Sequence, residues 1–311
     1  MTKSCHDIDF LLWLLCSPAP NGPQEAHLPS TVTSSGSLKF FKKARKPAAA
    51  GAATNCLSCS YEPDCMYSAK KIYYGKHLSS GDTGWPVKIV TPEIEDCYRT
   101  AGAEAAKDRL MTALSENYDP STPATKVDNR GWYGRCVWES DNDVCDDQTV
   151  TITWDDDSAS EIPNRGPKTA IFHMVAFTQG ICERRGRIYG TKGEITYDST
   201  TIHVHDFATE QTTTHSRPPQ PGEGHGGGDD GLATQFITAV DAVKNGVMSA
   251  DEAQVKYIGC TLEECVRSHA MVFAAEEARH GKVVLDWEKW WGERVEGILG
   301  ELKNEEEYVH P

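Results

Sequence analysis

Apolar side chains at Ile8, Leu11, Leu12 and Leu15 recur at the spacing of one helical face, while Phe10, Trp13 and Leu14 carry apolar surface around the rest of the cylinder. The pattern predicts a helix starting near Ser4, whose spacing from Asp7 is that of a capping box. A helix apolar on all sides is stable in water only when covered on all sides. Standing first in a domain, it is expected to meet a surface outside this chain. Residues 18–60 are rich in Pro, Ser and Ala and read as a long loop, with Phe40 and Phe41 tucked under the basic stretch KFFKKARK.

Farther on, residues 61–74 are compact and cysteine-containing, and residues 92–114 read as one or two polar helices. The period then changes. GRCVW, TVTITW, TAIFHMVAFT, GRIYG, GEITYD and TIHVHDF are short, β-branched and aromatic, several of them alternating, with turn formers between them. GRIYGTKGEITYD predicts a hairpin. Helical spacing returns with Leu232, Phe236, Ala239, Val240 and Val243, then with Val266, Ala270, Phe273 and Ala274, and WEKWW opens a last helix before an acidic tail at 301–311. Strands without helices between them favour antiparallel pairing over βαβ units. The expected fold class is α+β, an open, mainly antiparallel sheet with helices on one face. The expected division is a junction helix at 1–17, the loop at 18–60, an α+β domain at 61–300 and the tail.

Charge narrows the function classes. The 311 residues carry a formal net charge of −15, which disfavours nonspecific attraction to nucleic acid or an anionic membrane surface. Asp7 and Asp9 before the first apolar run oppose a signal peptide, and the run is shorter than the roughly 20 residues that span a bilayer. Eleven cysteines without a leader read as reduced thiols, so a cytoplasmic protein is expected.

Two motifs carry candidate chemistry. GGGDDG, at 226–231, satisfies G-x-G-x-x-G, but SRPPQPGEGH precedes it where a dinucleotide site needs a strand, and Asp229 and Asp230 would repel a diphosphate. The same glycines allow His225 and Asp229 to approach a small molecule; the plainer reading is a connection with an acidic N-cap. CLSCSYEPDC places Cys56, Cys59 and Cys65 as C-x2-C-x5-C. A structural zinc needs a fourth ligand, for which Cys136, Cys97 and His77 are the candidates, and spacing does not choose among them. The competing reading is a cluster of buried thiols.

KSCHDIDFLLWLL, CLSCSYEPDCMYSAKKIYY, GRCVWESDNDVCDDQ, FHMVAFT, RRGRIYGTKGEI, HGGGDDG and SHAMVFAAEEAR together resemble the Gfo/Idh/MocA oxidoreductases, over most of the chain from Lys3 to about Val284. The resemblance implies the second half of a two-domain enzyme, whose first half is a Rossmann domain holding NAD or NADP. It implies that His6 acts beside the nicotinamide on the reacting hydroxyl. An imidazole suits that task, because alcohol oxidation needs a proton acceptor that titrates near neutrality. Many relatives carry Asp four residues ahead of this His; Thr2 stands there, and Lys3 is the nearest replacement. Asn142, His225 and Asp229 fall in motifs expected near substrate.

The resulting expectation is the substrate-binding and oligomerisation domain of an NAD(P)-dependent oxidoreductase acting on a sugar or polyol, incomplete as given and forming homo-oligomers through its sheet. The alternative is a non-catalytic truncated paralogue, or a metal-stabilised structural or binding protein.

Overall fold

The structure is a computed structural model and describes residues 4–17, 25–140, 142–157, 165–178, 180, 183–217 and 228–297. It contains helices and two antiparallel sheets, an α+β fold. The chain divides into two compact units, Met1–Ser35 with Gln148–Pro311, and Gly36–Asp147. The expected boundaries at 17, 60 and 300 do not coincide with this division.

In chain order the elements are α1 (Ser4–Cys16), β1 (Thr31–Ser37), α2 (Val87–Val90), α3 (Ile94–Ala101), α4 (Ala103–Ser115) and α5 (Ala124–Asp128). Then come β2 (Asp147–Trp154), β3 (Lys168–Val175), β4 (Gly186–Tyr189), β5 (Gly193–Tyr197), β6 (Thr201–Asp206) and β7 (Gln211–Ser216). The last are α6 (Gly228–Lys244), α7 (Ala250–Ala253), α8 (Leu262–Gly281), β8 (Val284–Asp286) and α9 (Trp287–Trp291).

The larger unit is built around a sheet of order β3-β2-β1-β8. Alternation along β2 buries Val150, Ile152 and Trp154, and β1 adds Val32 to the same core. Against them pack Ile8 and Leu12 of α1, Met271, Ala274 and Ala275 of α8, and Trp287. Each large side chain fully buried there contributes about 1.5–3 kcal/mol relative to exposure. The start of α8 is secured by a capping box: the Glu264 N–H donates to Thr261 Oγ1 at 3.2 Å and the Thr261 N–H to Glu264 Oε2 at 2.6 Å.

The second sheet is the meander β4-β5-β6-β7. Its register pairs Tyr189 with Glu194, Tyr197 with Ile202 and Asp206 with Gln211. The predicted hairpin is β4 and β5. In the Gly36–Asp147 unit a smaller core collects Leu78, Val87, Ile94, Ala106, Leu110 and Leu114 from α2, α3, α4 and the preceding turns.

Several expectations change. The 18–60 loop contains β1, whose Ser- and Thr-rich sequence gives little strand signal; it is held by pairing Thr31, Val32 and Thr33 with Asp286, Leu285 and Val284. GRCVW is not a strand: Arg135 makes one isolated bridge to Asn55, and a 3₁₀ turn at Val137–Glu139 buries Trp138. β7 is polar throughout and was not anticipated. It pairs with β6, where His203 and His205 bond Thr214 and Thr212 across the strands at 2.8 and 3.0 Å. In α6 the large members of the predicted face, Leu232, Phe236, Val240 and Val243, are exposed, and only Ala239 and Ala242 are buried.

Candidate functional site

His6 lies in the first turn of α1 with its side chain exposed, and its Nδ1 is 3.4 Å from Cys5 Sγ. The helix is placed by its buried stripe of Cys5, Ile8, Leu12 and Cys16, which leaves Phe10, Trp13 and Leu14 outward at 38, 56 and 36 % exposure. These three side chains are the part of the apolar helix that faces outward.

Two contacts bring the start of α1 to the β4–β5 sheet. Arg184 Nε donates to Asp7 Oδ1 at 2.5 Å, and the Phe10 ring meets the Tyr197 ring edge-on at 5.6 Å. Beside them an open cleft of about 360 Å³ is lined by Arg185, Gly186, Thr196, Tyr197, Asp198, Thr201 and His203. The cleft is rich in hydrogen-bonding groups. Asp198 is held ionised, since the Thr200 hydroxyl and the backbone N–H groups of Thr200 and Thr201 bring its carboxyl down to about 2. Burial, with the Asp7 charge adding to it, pushes the Tyr197 phenol up, so that it stays a neutral donor. A cationic Arg, a carboxylate, a phenol, hydroxyls and an imidazole in one open cleft can hold a polyhydroxylated small molecule by hydrogen bonds at several oxygens. None of the lining residues was singled out beforehand. RRGRIYGTKGEI was the signal, a run of arginines entering the hairpin, but no spacing within it points to a site.

Lys3 and His225 lie outside the described residues. Asp229 is in the first turn of α6, an exposed position. Asn142 belongs to the other unit, where its Oδ1 accepts the Val144 N–H at 3.1 Å. Helix α6 begins inside GGGDDG, at Gly228, and Asp229 and Asp230 occupy its first turn, so that turn presents negative charge where a diphosphate would bind.

A second constellation lies wholly within Gly36–Asp147. Cys56, Cys59, Cys65 and Cys136 line one narrow cavity of about 20 Å³. Backbone bonds from the Cys56 N–H to Gly134 O (2.8 Å) and from the Cys136 N–H to Thr54 O (2.9 Å) hold two of them at either end of the Asn55–Arg135 bridge. Of the proposed fourth ligands only Cys136 is at this cavity; His77 Nδ1 is bonded to Asp82 Oδ2 at 2.7 Å. Burial pushes both the Cys56 and the Cys136 thiol up, opposed by backbone N–H groups of Ala69 and Trp138 that donate to their sulfurs. As the side chains stand, no group of three or more His, Cys, Asp or Glu among the described residues is set to hold a metal ion. No disulfide joins the described cysteines.

No helix among the described residues is long and apolar enough to cross a membrane. Comparison with protein-family models, with curated proteins and with solved structures gave no match to this chain.

Proposed function

We propose that this chain is the substrate-side domain of an NAD(P)-dependent oxidoreductase acting on a hydroxyl of a sugar or polyol, with His6 as the proton acceptor. The observation that carries the proposal is the Asp7–Arg184 ion pair, which brings the turn bearing His6 to the strand end bearing Arg185 and its polar cleft. The motif resemblance around His6 supports the same reading. In the tautomer whose Nδ1–H faces Cys5 Sγ, Nε2 keeps the lone pair that takes the hydroxyl proton. Arg185, Asp198 and the Tyr197 phenol bind and orient the remaining hydroxyls.

The nicotinamide is not assigned to this chain, because its one glycine-rich stretch leads into a helix turn with two carboxylates. A nucleotide-binding domain packed over Phe10, Trp13 and Leu14 holds the cofactor, whose chemistry is to accept the hydride. In this reading the protein works in the cytoplasm. The test uses the chain alone. Sugars and polyols are titrated while the imidazole resonances of His6 and His203 and the amides of β5 are followed by NMR. Shifts confined to these groups, weakened by Arg185→Ala, are expected. Shifts elsewhere, or none across the panel, reject the proposal.

A further inference from the structure

The four thiols at one cavity are unused by the proposed oxidoreductase chemistry, and they come from two separate stretches of sequence. Cys56, Cys59 and Cys65 lie on consecutive tight turns, in which the Cys59 N–H donates to Cys56 O at 3.3 Å and the Cys65 N–H to Glu62 O at 3.1 Å. Cys136 arrives 71 positions after Cys65 and is brought to them by the bonds around the Asn55–Arg135 bridge. Chance collapse of a thiol-rich core would not need such fixed backbone. Asn55, only 3 % exposed, secures it further: its Nδ2 donates to Leu114 O at 2.9 Å and to Glu116 O at 3.1 Å, while its Oδ1 accepts the Leu57 N–H at 2.8 Å.

Two further observations point to ligated sulfur. The Ala69 N–H donates to Cys56 Sγ at 3.5 Å. A backbone amide placed at sulfur is a ready donor to a metal-bound thiolate, which accepts hydrogen bonds. The buried Trp138 indole N–H, of a residue lining the same cavity, has no acceptor among the described residues.

We propose that Cys56, Cys59, Cys65 and Cys136 bind a single tetrahedral, thiolate-seeking divalent ion, with zinc as the natural occupant. The cavity volume of about 20 Å³ is close to what one water needs, about 10–15 Å³, and so suits one ion and not an iron–sulfur cluster with its own sulfides. Four sulfurs around zinc stand at about 2.3 Å from it. The thiols described here are not yet closed to that distance. Binding is an acid–base step without oxidation: each thiol releases one proton to solvent, and the sulfurs turn inward on a backbone that is already fixed. The ion would tie residues 56–65 to residue 136 and so stabilise Gly36–Asp147 without any part in catalysis.

The test is metal analysis of the full chain purified without chelator or metal-affinity steps, followed by cobalt titration of the stripped protein. About one zinc per chain is expected, with tetrahedral thiolate-to-cobalt absorption saturating at about one equivalent. Cys136→Ser should abolish the four-thiolate spectrum and Cys97→Ser leave it intact. Zinc below a tenth of an equivalent with no cobalt spectrum overturns the proposal. So does iron accompanied by inorganic sulfide, or an unchanged spectrum in Cys136→Ser. Should Cys136→Ser fail to fold, the intensity of the cobalt band in the unaltered chain still counts the thiolates.

Discussion

Gly134 is where a side chain is excluded most sharply. A methyl carbon there would lie 1.7 Å from the Leu114 carbonyl oxygen and 3.0 Å from Asn55 Nδ2. Non-bonded heavy atoms rest at about 3.5 Å, so Gly134→Ala must part the two backbones by more than about 1 Å. The segments that would part carry the Asn55 Nδ2 bond to Leu114 O and the Cys56 N–H bond to Gly134 O, at 2.9 and 2.8 Å. Net losses of about 1 kcal/mol per bond, with about 1–3 kcal/mol for a buried group left unpaired, put the cost at about 3–5 kcal/mol. Equilibrium urea unfolding, followed by tryptophan fluorescence and circular dichroism, measures it. Gly75→Ala is the control, since its added carbon meets nothing closer than Lys70 O at 3.9 Å; it should change stability by less than about 0.5 kcal/mol. A Gly134→Ala cost below about 1 kcal/mol would refute the close approach of 134 to 114.

Two further substitutions probe the rest of the description. The Asp146 carboxylate accepts backbone N–H groups of Lys39, Phe40 and Phe41 at 2.6, 2.7 and 2.9 Å, and Asp146→Ala should cost about 2–4 kcal/mol at neutral pH. Burial raises this carboxyl, but the N–H donors outweigh it and leave it below the ordinary range. Its contribution is therefore full above the unfolded-state value and lost as pH falls through the folded one, so urea titrations should show wild type and variant converging in acid. Phe236, 60 % exposed on α6, should tolerate Ser with a change within about 0.5 kcal/mol, whereas a buried Phe costs about 3–5 kcal/mol on truncation. A loss of the larger size in thermal unfolding would mean that the α6 face is covered.

Phe236 also marks a limit of sequence reading. Its spacing from Leu232, Ala239 and Val243 correctly predicts a helix, because periodicity reflects the local backbone repeat. The choice of buried face depends on what packs there, and α6 packs against α7 and the turn after it through small residues. The GRIYGTKGEITYD hairpin, α1, α3, α4 and α8 were legible for the same local reason. β1 and β7 were not, since their polar sequences give little strand signal; β1 is held by pairing with distant residues, Thr31 with Asp286 among them, and β7 by its hairpin with β6. The cysteine turns stood out by spacing, while the choice of Cys136 over Cys97 and His77 needed the bridge at Asn55–Arg135. The cleft by Arg185 had no sequence signature, because its residues are ordinary polar side chains that matter only where the hairpin and α1 meet. Asn142 came from motif resemblance alone, and the structure puts it in the other unit from His6.

Whether His6 takes a proton from a sugar or polyol hydroxyl is tested most directly by turnover. The chain is joined behind a nucleotide-binding domain of the Gfo/Idh/MocA type, and reduction of NAD or NADP is followed across a sugar and polyol panel for the unaltered and His6→Ala forms. The prediction is oxidation of at least one polyol, with turnover lowered at least about a hundredfold in His6→Ala and cofactor affinity unchanged. Turnover near that of the unaltered form in His6→Ala would contradict the assignment.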